Sequence, residues 1–272
     1  MQITGKTAII LMFADPVAHI RGTVLINDSL AEMDLDAAIV PLHIMPEDLA
    51  GTLDAVRRMQ NVAGLGITIP HKIAVLPLLE EVTPTARRLG AVNFARRNAD
   101  GTLTGTNTDG AGFVTGLVAN GFEVRGKRAL VVGAGGVGRA IAFALADAGV
   151  TELAIANRDA ERARSLAAEI AASVPACRLR LCDAQAPDAV AGIDLLVNAT
   201  ALGMAVDDPL PVRLDRLETE TAVAEVVVNP PMTPLLEAAA SRGCQIVAGA
   251  EMLKPQPRLV AEFFGLLTTA RT

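Results

Sequence analysis

Short apolar runs alternate along this chain with longer stretches in which apolar residues recur every three or four positions. The short runs predict buried strands and the longer stretches predict helices. In the second half of the chain, strands are predicted at 152–156, 178–182, 194–199, 222–228 and 245–248, and helices at 159–172, 187–191 and 234–241. This repeated β-α order is typical of a doubly wound parallel sheet.

The first half follows the same pattern and adds one hairpin. Strands are predicted at 8–13, 37–42 and 64–69, helices at 24–33, 46–59 and 110–119, and two paired runs at 89–94 and 102–107. The segment 98–101 between the paired runs contains Asp-Gly, a hairpin signal. A last helix, predicted at 253–267, returns to the first domain. We therefore predict an α/β protein with two domains, 1–109 with 244–272 and 110–243.

A glycine-rich turn joins a buried strand to a helix in the middle of the chain. The apolar run 129–132 precedes Gly133-x-Gly135-x-x-Gly138, and 140–145 opens a helix. In dinucleotide-binding folds the first glycine permits the turn, the second lets the backbone approach a pyrophosphate, and the third allows close helix packing. The alternative is a tight strand-to-helix connection without a ligand. The predicted cofactor contacts in this turn are Gly133, Ala134, Gly135, Gly136, Val137 and Gly138. The turn makes 110–243 the predicted dinucleotide-binding domain of the Rossmann type and leaves 1–109 with 244–272 as the predicted substrate domain.

The composition narrows the class of protein. A chain of 272 residues can bury a large core, and 51% hydrophobic with 20% charged residues is typical of a globular protein. The net charge of −6 argues against nucleic acid as a partner. A secretory leader and an uncharged apolar run of about 18 residues are both missing, so we expect a cytoplasmic protein without a membrane span. We expect a small-molecule substrate and a monomer or homodimer.

Cysteine and histidine are too few and too scattered to predict a metal site. The three cysteines have no Cys-x-x-Cys spacing, and the three histidines form no pair with the spacing of zinc ligands. We expect reduced thiols and no metal. These residues are Cys177, Cys182, Cys244, His19, His43 and His71.

A lysine directly follows the third predicted strand, where open α/β sheets place their ligands. Pro70 ends the apolar run, and Lys72 comes two residues later. A secondary alcohol gives up hydride only as its O–H proton leaves, and a partly desolvated lysine can take that proton. The chain has no tyrosine, which excludes a Tyr-x-x-x-Lys base. Lys72 is therefore the candidate base, with a solvated lysine at a strand end as the alternative. Asp109 could, on spacing alone, be merely a helix N-terminal carboxylate.

A series of motifs, in order along the chain, resembles the shikimate dehydrogenase family. They are Ile67-Thr68-Ile69-Pro70-His71-Lys72, Gly90-Ala91-Val92-Asn93, Asn107-Thr108-Asp109-Gly110, Asn198-Ala199-Thr200-Ala201-Leu202-Gly203-Met204, Asn229-Pro230, Thr233-Pro234-Leu235 and Met252-Leu253-x-x-Gln256. The resemblance implies a nicotinamide-dependent oxidoreductase that interconverts shikimate, or an analogue, and its 3-keto form. It also implies a place in aromatic amino acid biosynthesis through chorismate.

The same resemblance implies roles for single residues. Lys72 and Asp109 form the catalytic pair, and Asp109 hydrogen-bonds the reacting hydroxyl. The other substrate contacts are Thr68, Asn93 and Gln256, and further cofactor contacts are Thr200, Met204 and Gly249.

Several positions depart from the family pattern. The family has Ser-x-Ser-Pro where this chain has Ile20-Arg21-Gly22-Thr23, and those two hydroxyls bind the substrate carboxylate. Val228 stands where a tyrosine is usual, and Glu225 where the family has Asp. We expect altered substrate choice. Either Arg21 binds a carboxylate, or the substrate presents a less polar group to Ile20 and Val228, and we favour the second.

Three alternatives to shikimate itself stay open. Quinate or an amino-shikimate would use the same chemistry and differ at the substituents. A non-catalytic metabolite sensor could retain this fold after losing activity. The presence of both Lys72 and Asp109 argues against the sensor.

The cofactor preference depends on the residues after the predicted strand 152–156. NAD enzymes usually have an acid about 20 residues past the last glycine of the turn, and this chain has Asn157. Asn157, Arg158 and Arg162 resemble the family's pattern for the 2′-phosphate of NADP. Asp159 would oppose a phosphate and suit a ribose diol. We predict NADP, with NAD as the alternative.

Overall fold

The apolar runs form two six-stranded sheets, one in each of two units of the chain. The structure, a computed structural model, describes residues 2–18, 20, 22–205 and 207–267. The first unit consists of Met1–Thr108 with Gln256–Thr272, and the second of Asp109–Pro255. Among the described helices, none combines the length and the apolar character needed to cross a membrane.

The first unit contains a mixed sheet. Its strands are β1 (Ala8–Ala14), β2 (Ala37–His43), β3 (Val62–Ile67), β4 (Glu81–Val82), β5 (Phe94–Arg97) and β6 (Leu103–Thr106). Its helices before the second unit are α1 (Gly22–Glu32), α2 (Leu49–Val56), α3 (His71–Ala74) and α4 (Pro84–Leu89). The order is β2-β1-β3-β5-β6-β4, and β5 runs antiparallel to both of its neighbours.

Alternate residues of β1 enter the two cores that cover this sheet. Ile10 and Met12 belong to one apolar cluster with α1, and Phe13 belongs to the other with Leu53 of α2. Successive side chains of a strand point to opposite faces, so a strand buried on both faces is apolar throughout. The unbroken apolar run predicted as a strand is explained by this two-sided burial.

The second unit contains a fully parallel sheet. Its strands are β7 (Arg128–Val132), β8 (Glu152–Ala156), β9 (Arg178–Leu181), β10 (Leu195–Asn198), β11 (Ala222–Glu225) and β12 (Ile246–Val247). Its helices are α5 (Asp109–Ala119), α6 (Gly136–Asp147), α7 (Ala160–Ser173) and α8 (Pro234–Ala240), and α9 (Gln256–Phe263) follows in the first unit. The order is β12-β11-β10-β7-β8-β9, which confirms the predicted doubly wound sheet. The chain reverses its direction of winding between β7 and β10, the position where such sheets bind ligands.

The predicted hairpin begins later than expected. Residues 89–93 do not form a strand, because α4 ends at Leu89 and Gly90 closes it in the left-handed conformation, with φ of 65°. The signal for α4 was present in the sequence. Thr83 accepts a hydrogen bond from the Ala86 amide and precedes a proline, as is typical of a helix start.

The predicted helix at 187–191 is wrong. This segment forms turns, and the Ala191 amide bonds to the Asp188 carbonyl three residues earlier rather than four. Ala189 and Val190 are buried in the core of the second unit, so their apolar character reflects burial without a helix. The helix predicted at 46–59 is also shorter, a 3-10 turn at Pro46–Asp48 followed by α2.

The second unit extends further than the predicted boundary at residue 243. β12 pairs with β11, and a 3-10 turn at Gly249–Met252 follows it, so the unit ends at Pro255. The last helix begins at Gln256 rather than at 253 for the same reason. Backbone pairing, which local sequence does not reveal, therefore sets this boundary.

Candidate active site

Lys72 lies on α3, a single helical turn that follows β3 in the first unit. Its backbone carbonyl accepts a hydrogen bond from the Val92 amide at 2.8 Å. The neighbouring His71 is 1% exposed, and its Nε2 donates to the Ile44 carbonyl at 2.8 Å. Lys72 itself is partly buried. The turn that carries the amino group is thus held by hydrogen bonds on either side of it.

Three residues of the predicted site motifs meet in one buried network. Asn93 Oδ1 accepts from the Thr108 amide at 3.0 Å, and Asn93 Nδ2 donates to Thr108 Oγ1 at 3.1 Å. Thr108 Oγ1 donates to Gln256 Oε1 at 2.5 Å, and Gln256 Nε2 donates to the Thr108 carbonyl at 3.4 Å. All three side chains are buried. Residues far apart in sequence therefore lie together, as their assignment to one substrate site requires.

Thr68 and Asp109 are placed at the ends of elements. Thr68 follows β3, is partly buried, and its amide donates to the Phe13 carbonyl at 3.0 Å. Asp109 begins α5, directly after Thr108, so it is the carboxylate of a first helical turn. Lys72 and Asp109 belong to different units, and their catalytic pairing remains a proposal.

The positions that should bind a carboxylate offer neither charge nor side-chain donor. Ile20 packs against the apolar cluster of β1, α1 and α9. Gly22 is the first residue of α1, and a Cβ added to it would meet nothing within 4 Å. Val228, in the second unit, is 43% exposed. Arg21, the alternative carboxylate ligand, lies outside the described residues, as does His19.

The glycine turn has two kinds of glycine. Gly133 has a φ of 112°, and a Cβ on Gly138 would lie 2.0 Å from the Gly133 carbonyl oxygen. A Cβ on Gly135 or Gly136 would meet nothing within 4 Å. The outer pair is therefore required for packing, whereas the inner pair leaves open space at the start of α6. This arrangement suits a pyrophosphate at a helix N-terminus, and α6 begins at Gly136, within the turn, not at 140.

The turn after β8 is organised by Asn157 and Asp159. Asn157 Oδ1 accepts from the Ala134 amide at 3.0 Å, and Asn157 Nδ2 donates to the Asp159 carbonyl at 2.9 Å. Asp159 caps α7 by accepting from the Glu161 and Arg162 amides. Its Oδ2 also lies 3.3 Å from Arg162 Nε. Asp159 thus pairs with Arg162, a residue predicted to bind the 2′-phosphate. Its other role, as the N-cap of α7, could have been predicted from the sequence, because Asp is a common residue directly before a helix.

The remaining predicted cofactor residues lie near the same edge of the second sheet. Thr200 follows β10 and donates to Asn198 Oδ1 at 2.7 Å, and Met204 is exposed. A Cβ on Gly249 would lie 2.1 Å from the Val227 carbonyl oxygen, so this glycine is required by packing. Arg158 is exposed in the turn between β8 and α7. None of these positions contradicts its predicted role.

Glu225 is a buried acid that the sequence marked only as a departure from the family. It is 1% exposed, at the end of β11, and burial raises the pKa of its carboxyl. Burial also raises the pKa of the thiols of Cys177, Cys182 and Cys244, so these cysteines are not activated nucleophiles. Within the described ranges, no group of three or more His, Cys, Asp or Glu could hold a metal ion.

The raised pKa of Glu225 predicts a pH effect on stability. Above the ordinary pKa of about 4.3, the unfolded carboxyl has lost a proton that the folded one retains. The free energy of unfolding should therefore fall as pH rises towards the folded pKa. Glu225→Gln removes this contribution. Urea denaturation between about pH 5 and pH 8 measures the effect. The free energy of unfolding of the Gln variant, minus that of the wild type, should rise with pH. A difference that does not change with pH would contradict a raised pKa of Glu225.

Comparison with known proteins finds similarity to shikimate dehydrogenases along most of the chain. A model described as the shikimate dehydrogenase substrate binding domain matches residues 12–95, and one described as shikimate / quinate 5-dehydrogenase matches residues 117–207. A shikimate dehydrogenase (NADP(+)) of Moorella thermoacetica is 39% identical over 93% of this chain and 86% of its own length.

Two solved structures show the same fold. Ligand-free 5-ketofructose reductase of Gluconobacter sp. strain CHM43 is 32% identical with a TM-score of 0.87, covering 96% of this chain and 94% of its own. Shikimate 5-dehydrogenase of Thermus thermophilus, in complex with NADP(H) and shikimate, is 33% identical with a TM-score of 0.84 and the same coverage. Because sequence identity and fold agree across both units, the chain belongs to the shikimate dehydrogenase family.

Proposed function

We propose that this protein is an NADP-dependent oxidoreductase that interconverts a ring alcohol of shikimate, or of an analogue, and its ketone by hydride transfer. The 39% identity to an NADP(+) shikimate dehydrogenase, with Lys72 and Asp109 both present, is the observation that carries the proposal. The first unit would bind the substrate and the second the dinucleotide.

The residues of the second unit fit a dinucleotide. The open space at Gly135 and Gly136 would admit the pyrophosphate, with α6 amides as donors. Asn157, Arg158 and Arg162 would hold the adenosine ribose and its 2′-phosphate. When bound, NADP accepts or gives up the hydride.

Lys72, Asp109 and the other residues of the motif series would supply the proton transfer and the positioning. In oxidation the Lys72 amino group takes the hydroxyl proton, and in reduction the lysine returns it. Asp109 would accept a hydrogen bond from the same hydroxyl. Thr68, Asn93 and Gln256 would hold the other hydroxyls, and the buried network around Thr108 keeps Asn93 and Gln256 in fixed orientations.

A second candidate substrate is an uncharged keto-polyol. Ile20 packs into an apolar cluster, and Gly22 and Val228 offer no donor side chain, so a carboxylate at these positions would lose charge-assisted hydrogen bonds. The reductase of similar fold from Gluconobacter acts, by its name, on 5-ketofructose. A substrate with a less polar group at this position suits these side chains better than shikimate.

Steady-state assays test the function and separate the substrates. Purified protein would be assayed with NADP and NAD against shikimate, quinate and an amino-shikimate, and with NADPH against 5-ketofructose. We expect turnover that depends on Lys72, with a lower kcat/KM for shikimate than that of the Moorella enzyme. The highest kcat/KM for 5-ketofructose, which lacks the carboxylate, would favour the second candidate. Shikimate turnover as efficient as that of the Moorella enzyme would contradict altered substrate choice, and cofactor binding without any turnover would favour the sensor.

Removing the Asp159 carboxylate should strengthen the preference for NADP. Asp159→Ser keeps a helix cap, releases Arg162, and removes a charge that repels the 2′-phosphate. The KM for NADP should fall by up to about fivefold, since interactions between exposed charges are worth at most ~1 kcal/mol. The measurement is the ratio of kcat/KM for NADP and NAD. Glu161→Gln removes a carboxylate from the same helical turn and should leave the ratio unchanged.

We also propose that the protein works in the cytoplasm as a monomer or homodimer. The three cysteines are free thiols, which suits a reducing compartment. Analytical ultracentrifugation would establish the oligomeric state, and a higher oligomer would contradict the proposal.

A further inference from the structure

Glu225 is the last residue of β11, and it is buried at the carboxyl edge of the second sheet. Its Oε2 accepts a hydrogen bond from Asn198 Nδ2 at 3.3 Å, and the neighbouring Thr233 hydroxyl favours the charged form of the carboxyl, against the effect of burial on its pKa. Its Oε1 has no hydrogen-bond partner in the part of the chain that the structure describes. Burial of a carboxyl with so few hydrogen-bond donors lowers the stability of the folded protein. The presence of Glu225 at this position therefore indicates a role besides packing.

Asn198 connects this acid to the loop that follows β10, residues 199–204, called here the β10 loop. Asn198 Oδ1 accepts from the Thr200 amide at 3.1 Å and from the Thr200 hydroxyl at 2.7 Å. Asn198 Nδ2 also donates to the Leu202 carbonyl at 3.0 Å. The Asn198 side chain therefore fixes the conformation of the loop through three hydrogen bonds. Glu225 in turn orients the Asn198 side chain by accepting a hydrogen bond from its amide nitrogen.

Thr233 connects the acid to the far end of the same loop. Gly203 has a φ of 102°, and a Cβ on it would lie 3.2 Å from Thr233 Cβ, so the loop backbone packs directly on this threonine. Thr233 is fully buried and caps α8 through the Leu236 amide. Asn198 and Thr233, the two residues that act on the Glu225 carboxyl, thus contact opposite ends of the β10 loop.

The β10 loop packs on the glycine turn. A Cβ on Gly133 would lie 2.8 Å from the Ala199 carbonyl oxygen and 3.0 Å from Thr200 Cγ2. β10 and β7 are the neighbours between which the sheet reverses its winding, which is where such sheets bind nucleotides. A shift of this loop would therefore change the wall of the dinucleotide site.

We propose that Glu225 is a positioning residue for dinucleotide binding, which fixes the β10 loop against the glycine turn through its hydrogen bond to Asn198. The proposal rests on the proposed function for the identity of the nucleotide. The raised pKa of the carboxyl is consistent with it, because a neutral carboxyl is the less costly form at a site with few donors.

The test compares three variants of the full chain. Glu225→Met keeps the shape of the side chain and removes its hydrogen bonds, whereas Glu225→Gln can retain them. Thr221→Val is the matched control. Thr221 is a buried polar residue directly before β11, whereas Glu225 is its last residue, and the Thr221 hydroxyl donates a hydrogen bond to the Ile193 carbonyl. The measurements are the Kd for NADP by titration calorimetry and amide hydrogen exchange of residues 199–204.

The Met variant should raise the Kd for NADP about tenfold and speed exchange at Thr200 and Leu202, without lowering the Tm. The Gln variant should resemble wild type. The Thr221 control should lower the Tm and leave the Kd unchanged. If the Met variant fails to fold, Glu225→Leu, another apolar side chain of similar volume, takes its place with the same expected pattern.

Wild-type Kd and exchange in the Met variant would overturn the proposal, and so would equal losses in the Met and Gln variants. Failure of the wild-type protein to bind NADP would contradict the proposed function instead. The exchange measurement would still decide whether Glu225 positions the β10 loop, because it needs no ligand.

Discussion

Replacing Lys72 by alanine should lower kcat for the best substrate by about 100-fold to 10,000-fold, the usual contribution of a positioned acid or base. The amino group takes the hydroxyl proton, and no tyrosine exists in the chain to replace it. The turn that carries Lys72 is held through backbone atoms and His71, so the substitution should leave the fold intact. The measurement is kcat with NADP, beside the Kd for NADP, which should not change.

Lys6→Ala is the matched control, because Lys6 is an exposed lysine of the same unit and has no place in the proposed site. It should retain wild-type kcat and Tm. A folded Lys72→Ala protein with nearly full turnover would rule out this lysine as the acid or base. Asp109 or water would then have to move the proton.

Adding a single methyl group to Gly138 should destabilise the second unit by about 3 kcal/mol or more, near the upper range for point mutations. The new Cβ in Gly138→Ala would lie 2.0 Å from a backbone oxygen of Gly133, which cannot move without breaking the turn. The same methyl group in Gly135→Ala meets no atom within 4 Å and should leave the Tm unchanged. It would occupy the space proposed for the pyrophosphate, so the Kd for NADP should rise about tenfold or more.

Urea denaturation and NADP titration of the two variants check these effects separately. Gly51→Ala in α2 is the control, since its Cβ also meets nothing and alanine favours a helix, so stability should rise slightly. Unchanged NADP affinity in Gly135→Ala would favour the alternative, in which the glycines serve only the strand-to-helix connection. A stable Gly138→Ala protein would contradict the packing.

Local sequence patterns were sufficient for the second sheet. The strands β7 and β8 are fully buried apart from their first residues, so each is a continuous apolar run. The glycine turn was recognisable because its spacing, between a strand and a helix, is typical of dinucleotide-binding folds. The motif series was sufficient for the family, because it spans both units. Those motifs alone were enough to select Lys72, Asn93, Asp109 and Gln256 as candidate site residues.

Tertiary structure alone decided which residues serve packing and which leave space for a ligand. The sequence shows identical glycines at 135 and 138, and only the distance to the Gly133 oxygen separates them. The end of the second unit at Pro255 depends on pairing between β12 and β11. Ala189 and Val190 are apolar because they are buried in the core, and the sequence pattern that this burial produces was wrongly predicted to be a helix. The hydrogen bond between Glu225 and Asn198 joins two residues that are 27 positions apart in sequence. Periodicity reports which residues avoid water, whereas contacts between distant segments depend on how the elements pack.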